Sequence, residues 1–254
     1  MSLEFIDRSF SYTNLIKIFL LFGLGSIAGG FYYCLAMRIA RGEDWKRGRS
    51  CCDMCGHILV PSDLIAVVSF LLLKGRCRYC GRKLSYRCLM SELFLGVVYV
   101  LTYLCFQRID LNVLCLLNLF GLFLGLSLID IETYIIPNGF IVTGIANRFF
   151  NPMFWLDHKY VLHRVFEALF LAGIICLLAW IMNKTSKKEN LGGGDIKLIF
   201  VIGLYTGFYC GVWVLLVSSL IGSIYTLCTK KRRIPFGPFL SASAMLVLLY
   251  RGLI

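Results

Sequence analysis

Long apolar runs separated by short polar segments dominate this chain. They fall at 15–37, 89–106, 111–129, 137–153, 161–182, 198–228 and 236–250. A helix needs about 20 apolar residues to cross the hydrocarbon core of a bilayer, so these runs predict membrane spans. The stretch 64–73, LIAVVSFLLL, is too short to span and reads as an interfacial segment or one packed on its own loop. The first run is too long for the core of a signal peptide, and no A-x-A-like cleavage site follows it, so it reads as a retained span. The run 198–228 is too long for a single crossing.

The polar segments decide the topology. Arg38, Arg41, Lys46, Arg47, Arg49, Lys74, Arg76, Arg78, Arg82, Lys83 and Arg87 all lie in one loop. Lys184, Lys187, Lys188 and Lys197 mark a second, and Lys230, Lys231, Arg232 and Arg233 a third. The positive-inside rule puts all three in the cytoplasm. The run 198–228 must then cross twice, turning near Gly207 to Gly211. The expectation is an all-α polytopic membrane protein of about eight transmembrane helices, with both termini outside. Its parts are a first span (1–37), a cytoplasmic loop (38–88) and a seven-span membrane domain (89–254).

Composition agrees: of 254 residues, 59% are hydrophobic and 16% charged, far from the balance of a soluble domain. The formal charge of +12 follows from topology and attraction to anionic lipid, so no nucleic-acid partner is expected.

Two carboxylates then stand out. Asp130 ends an apolar run and is followed by IETYIIPN, and Asp195 lies in LGGGDIK at 191–197. A carboxylate at the end of a span is costly to desolvate and marks chemistry, ion handling or anchoring. The topology puts both on the cytoplasmic side, where they could form a water-activating pair. The plainer readings are a polar anchor for Asp130, with Pro137 opening the next helix, and an N-cap for Asp195. The glycines at 192–194 allow close backbone approach at that helix start.

The basic loop carries Cys52 and Cys55, then Cys77 and Cys80, each pair at C-x-x-C spacing and followed by Gly56 or Gly81. Paired knuckles of this kind offer four thiolates to a tetrahedral zinc ion. Disulfides are disfavoured in a cytoplasmic loop, and metal-free thiols are the other alternative. His57 reads as a polar surface residue, and His158 and His163 fall on the external side. A G-x-G-x-x-A match at Gly23 lies inside a span with no preceding strand and carries no dinucleotide meaning. Gly25 and Gly29 instead form a G-x-x-x-G packing face. Arg164 and Glu167 are spaced to pair on one helical face.

The order of these motifs resembles that of the type IV prepilin leader peptidases, GxGD-type aspartic peptidases of pilus and type II secretion systems. The resemblance runs through Gly25-Ser26, Arg49-Ser50, both C-x-x-C pairs, KGRCRYCG at 74–81, Glu92-Leu93, Asp130 to Asn138, GGGDIK at 192–197 and IPFGPFL at 234–240. It implies cleavage of the basic leader of prepilins or pseudopilins at the cytoplasmic face of the bacterial inner membrane, with Asp130 and Asp195 as the catalytic pair. It also implies N-methylation of the new amino terminus with S-adenosylmethionine as donor. Two neighbouring carboxylates suit the first activity, because one can stay protonated to polarise the carbonyl while the other deprotonates water.

The chain departs from the family pattern at Cys52-Asp53, where proline often follows the cysteine, and at Glu132, where a second aspartate is common. It departs again at 28–34, where the first span usually continues with asparagine and a basic segment. Glu132 and Glu92, at cytoplasmic ends, and Lys197 are candidate substrate-binding residues. A transporter would place polar groups nearer the midplane, and a zinc-loop scaffold would leave the aspartates without a task.

Overall fold

The structure is a computed structural model that describes residues 12–43, 57, 76, 78–82, 86–155, 158–186, 192–229 and 234–252. Three of the four expected zinc ligands, Cys52, Cys55 and Cys77, lie outside the described residues, as does the segment 64–73. The chain divides into two compact units, Met1–Arg108 and Ile109–Ile254.

Among the described residues, the first unit holds an antiparallel pair, α1 (Tyr12–Ala40) and α2 (Tyr86–Phe106). Lipid tails are as apolar as leucine, so the pair is held by close contact and by polar bonds rather than by exclusion of water. The G-x-x-x-G face supplies the contact. A Cβ at Gly25 would lie 2.7 Å from the Leu95 carbonyl oxygen, and one at Gly29 2.5 Å from that of Ser91. Towards the other end, the Tyr103 hydroxyl donates to Asn14 Oδ1 at 2.9 Å.

The second unit holds α3 (Leu111–Thr133), α4 (Asn138–Phe149), a 3-10 turn (Pro152–Trp155), α5 (His158–Ser186), α6 (Gly193–Thr229) and α7 (Gly237–Tyr250). Asp110 starts α3 by accepting the Val113 amide at 2.9 Å. The run 137–153 becomes a helix of 12 residues, shorter than the run itself. Pro137 precedes it as the N-cap, and Pro152 disfavours helical geometry at Asn151. Polar side chains tie the middle of this unit together: Asn147 donates to the Cys115 carbonyl at 2.7 Å and the Tyr205 hydroxyl at 2.9 Å, and Tyr205 donates to the Gly144 carbonyl at 3.0 Å.

α6 has 37 residues but is not one rod. Gly207 breaks it at φ 76°, ψ −178°. Cβ positions at Gly203 and Gly211 fall 3.6 and 2.5 Å from the same Leu171 methyl, whereas eight residues of unbroken helix would set them about 12 Å apart. The chain therefore folds back at Gly207, within the segment where the charge pattern requires a turn. The break exposes backbone carbonyls, and two arginines satisfy them. Arg164 donates to Thr206 O at 3.3 Å, and Arg251 to Thr206 O at 3.1 Å and Tyr205 O at 3.4 Å. Arg164 also pairs with Glu167 at 3.1 Å, as their spacing suggests.

Among the described residues, five helices, α1, α2, α3, α5 and α6, are long and apolar enough to cross a membrane, and α7 is a shorter apolar helix. Together with the mean hydropathy of +0.78, this makes the chain a multi-pass helical membrane protein.

Candidate active site

The site is built where three helix ends meet. Asp130 lies in the last turn of α3. Tyr134 closes that helix in the left-handed conformation, φ 57°, and its N–H caps the Asp130 carbonyl at 2.9 Å. The Asp130 side chain is only 4% exposed although it sits at a helix end. Its Oδ2 accepts the Gly237 amide of α7 at 2.8 Å.

Asp195 sits in the first turn of α6 rather than at its N-cap, because the helix already begins at Gly193. Its own amide donates to the Gly192 carbonyl at 3.1 Å. Gly194 presses this turn against the segment that links α3 to α4, where a Cβ would lie 2.9 Å from Ile136 Cβ. Lys197 Nζ donates to Asn138 Oδ1 at 2.9 Å, a second tie to the same segment. The turn that follows Asp130 thus receives the turn that carries Asp195, and the two carboxyls come within electrostatic reach of each other. The positive ends of α6 and α7 both lie at this cluster, where negative charge is favoured.

The other predicted site residues are distributed unevenly. Glu132 is exposed and points about 200° around α3 from Asp130. Lys197 is exposed and engaged with Asn138. Glu92 belongs to the first unit and is 1% exposed, with Oε1 in a notch 2.7 Å from where a Gly30 Cβ would stand. Cys88 Sγ approaches the same oxygen at 3.7 Å. His163 lies 3.4 Å from Glu167 near the Gly207 break, at the far end of that α6 arm from Asp195. The His57 ring lies 3.5 Å from that of Tyr79. Among the described residues, no group of three or more His, Cys, Asp or Glu converges to hold a metal.

Gly237 was not singled out as a site residue by the chemistry of the sequence. Its signal is the pair of prolines, Pro235 and Pro238, that bracket a glycine at a helix start.

Comparison with known proteins identifies the family. Residues 23–106 match the bacterial peptidase A24 N-terminal domain, and residues 116–227 match the type IV leader peptidase family. The prepilin leader peptidase/N-methyltransferase of Bacillus subtilis is 30% identical, over 93% of this chain and 94% of that protein. Proteins of the same description from Aeromonas salmonicida and Pseudomonas aeruginosa are 29% and 30% identical, each over 71% of its own length. No solved structure matches. With both family domains in order and a relative aligned almost end to end, this chain belongs to the type IV leader peptidase family.

Proposed function

We propose that this protein cleaves the basic leader from type IV prepilins or pseudopilins with the Asp130/Asp195 pair, and then N-methylates the new amino terminus. The observation that carries the reading is the placing of the two carboxyls within electrostatic reach of each other, at the end of α3 and the start of α6, with the start of α7 bonded to Asp130. One carboxyl, protonated, polarises the scissile carbonyl. The other, ionised, takes a proton from the water that attacks it, and the tetrahedral intermediate collapses as the amine leaves with a proton. S-adenosylmethionine is the methyl-donating co-substrate of the second activity.

The reading includes eight crossings, with the short α4 and both arms of α6 counted and both termini outside, in the bacterial inner membrane. The fold-back at Gly207 supports that count, and the basic loops support a cytoplasmic site. Substrate apolar helices stay in the bilayer while the basic leader reaches the site, with exposed Glu132 as its acidic contact. Glu92 stays a candidate contact only for a leader that reaches the α1–α2 notch, and Lys197 holds Asn138 beside the site. Cys52, Cys55, Cys77 and Cys80 hold a structural zinc that ties the loop together. The donor chemistry fits zinc, and Gly81, directly after Cys80, has the left-handed φ of 66° that a knuckle turn uses.

The test is cleavage of a membrane-embedded prepilin by the wild type and by Asp130→Asn and Asp195→Asn, with mass spectrometry of the product. Both variants are expected to be inactive while folded, and the wild-type product to carry the mass of one added methyl group. Cleavage that survives either substitution rejects the pair.

A further inference from the structure

α7 starts without a cap of its own. Phe236, its N-cap residue, makes no side-chain bond to the first turn, and the first amides of any helix lack partners within it. The partner comes from α3, 107 residues away in the sequence: the Gly237 amide donates to Asp130 Oδ2 at 2.8 Å, out of solvent. The same oxygen lies 2.7 Å from where a Gly237 Cβ would stand, and Leu126 Cδ2 lies 3.2 Å from that point. A side chain at 237 would have to displace the carboxyl. Pro238 follows in the first turn, where its missing N–H costs nothing.

We propose that Gly237 is a positioning residue of the peptidase site: its amide fixes Oδ2 of Asp130 and turns Oδ1 towards the peptide and its water. This rests on the Asp130/Asp195 reading. A carboxyl at the end of a membrane helix can otherwise rotate about two torsions. Held by a buried backbone donor that belongs to another helix, it keeps one oxygen committed and presents the other in a fixed direction. The positive end of α7 then faces the reacting group throughout the cycle.

Two variants separate positioning from packing. Gly237→Ala inserts a methyl against the carboxyl. Replacing the Phe236–Gly237 peptide bond by an ester, with glycolic acid at 237, removes the donor without adding bulk. In both, kcat for leader cleavage is expected to fall on the order of 100-fold with KM within about twofold, the scale for losing one oriented donor at a reacting centre. Methylation of a synthetic, already mature pilin amino terminus by the same variants is expected to stay at the wild-type rate, which reports an intact fold. Gly144→Ala, crowded instead against Val201 Cγ1 at 3.1 Å, is expected to lower thermal stability and leave kcat unchanged.

Normal cleavage by the ester variant overturns the proposal, including the case in which Gly237→Ala loses both activities together. An equal loss of methylation and cleavage in both variants also overturns it, because the effect is then structural. Normal cleavage by Asp130→Asn instead removes the pair on which the proposal rests.

Discussion

Replacing Gly207 by alanine should destabilise the protein through two independent costs. The first is conformational. At φ 76° and ψ −178° the backbone occupies a region that is essentially open only to glycine, at about 1–3 kcal/mol for other residues. The second is steric. The added methyl would coincide with the Arg164 guanidinium and stand 2.9 Å from Glu167 Oε2. That ion pair is only 15% and 13% exposed, and Arg164 also serves the Thr206 carbonyl. Displacing it gives up a charged hydrogen bond in a poorly solvated place, about 1.5–3 kcal/mol. The two costs together come to about 2.5–6 kcal/mol.

The assay is equilibrium unfolding in mixed micelles, followed by circular dichroism, with Gly173→Ala as the control. Gly173 lies on α5, where a Cβ would meet nothing within 4 Å, so its replacement is expected to be neutral or slightly stabilising. If Gly207→Ala and Gly173→Ala unfold within about 0.5 kcal/mol of each other, the size expected of a neutral substitution, glycine does not enforce the reversal and the reasoning fails.

Other outcomes follow from the site and the loop. Gly194→Val adds a branched side chain where even a Cβ would lie 2.9 Å from Ile136. It should push Asp195 off station and slow cleavage on the order of 100-fold, the scale for an ångström of misplacement; a rate within threefold of wild type would show that this contact does not position Asp195. Cys52→Ser and Cys77→Ser should each reduce the zinc content of the purified protein to background by elemental analysis, and full retention would remove zinc from the loop. Glu132→Gln should narrow the preference for basic over neutral leaders in competition assays, whereas unchanged kinetics for both would remove Glu132 from leader recognition.

The parts of this fold that were legible in the sequence are those that a bilayer makes local. Span length is a local property, so α1, α2, α3 and α5 follow the apolar runs closely. The reversal in α6 follows from length and charge: 37 helical residues would extend about 55 Å against a hydrocarbon core of about 30 Å, and basic loops flank it on both sides. Proline explains why 137–153 shortens to α4. Asp130 and Asp195 were legible because carboxylates at span ends demand a reason.

What stayed hidden joins distant segments. The burial of Glu92 needs the notch left by Gly30 on another helix, and the cap on Asp130 needs an amide 107 residues further on. Neither leaves a trace in local spacing. Hydropathy is no help here, because a helix face turned to lipid and one turned to protein are equally apolar. α5 and α6 are both apolar enough to span, yet 22% of the most apolar stretch is buried in one and 61% in the other. The residues that do mark buried faces are the small ones. Gly25 and Gly29 mark the α1–α2 contact, Gly203 and Gly211 the α5–α6 contact, and Gly194 and Gly237 the two approaches that assemble the aspartates. In this chain the apolar runs decide what crosses the membrane, and the glycines decide which crossings touch. A residue-by-residue search for the site should therefore weigh a glycine at a helix start as heavily as a carboxylate at a helix end.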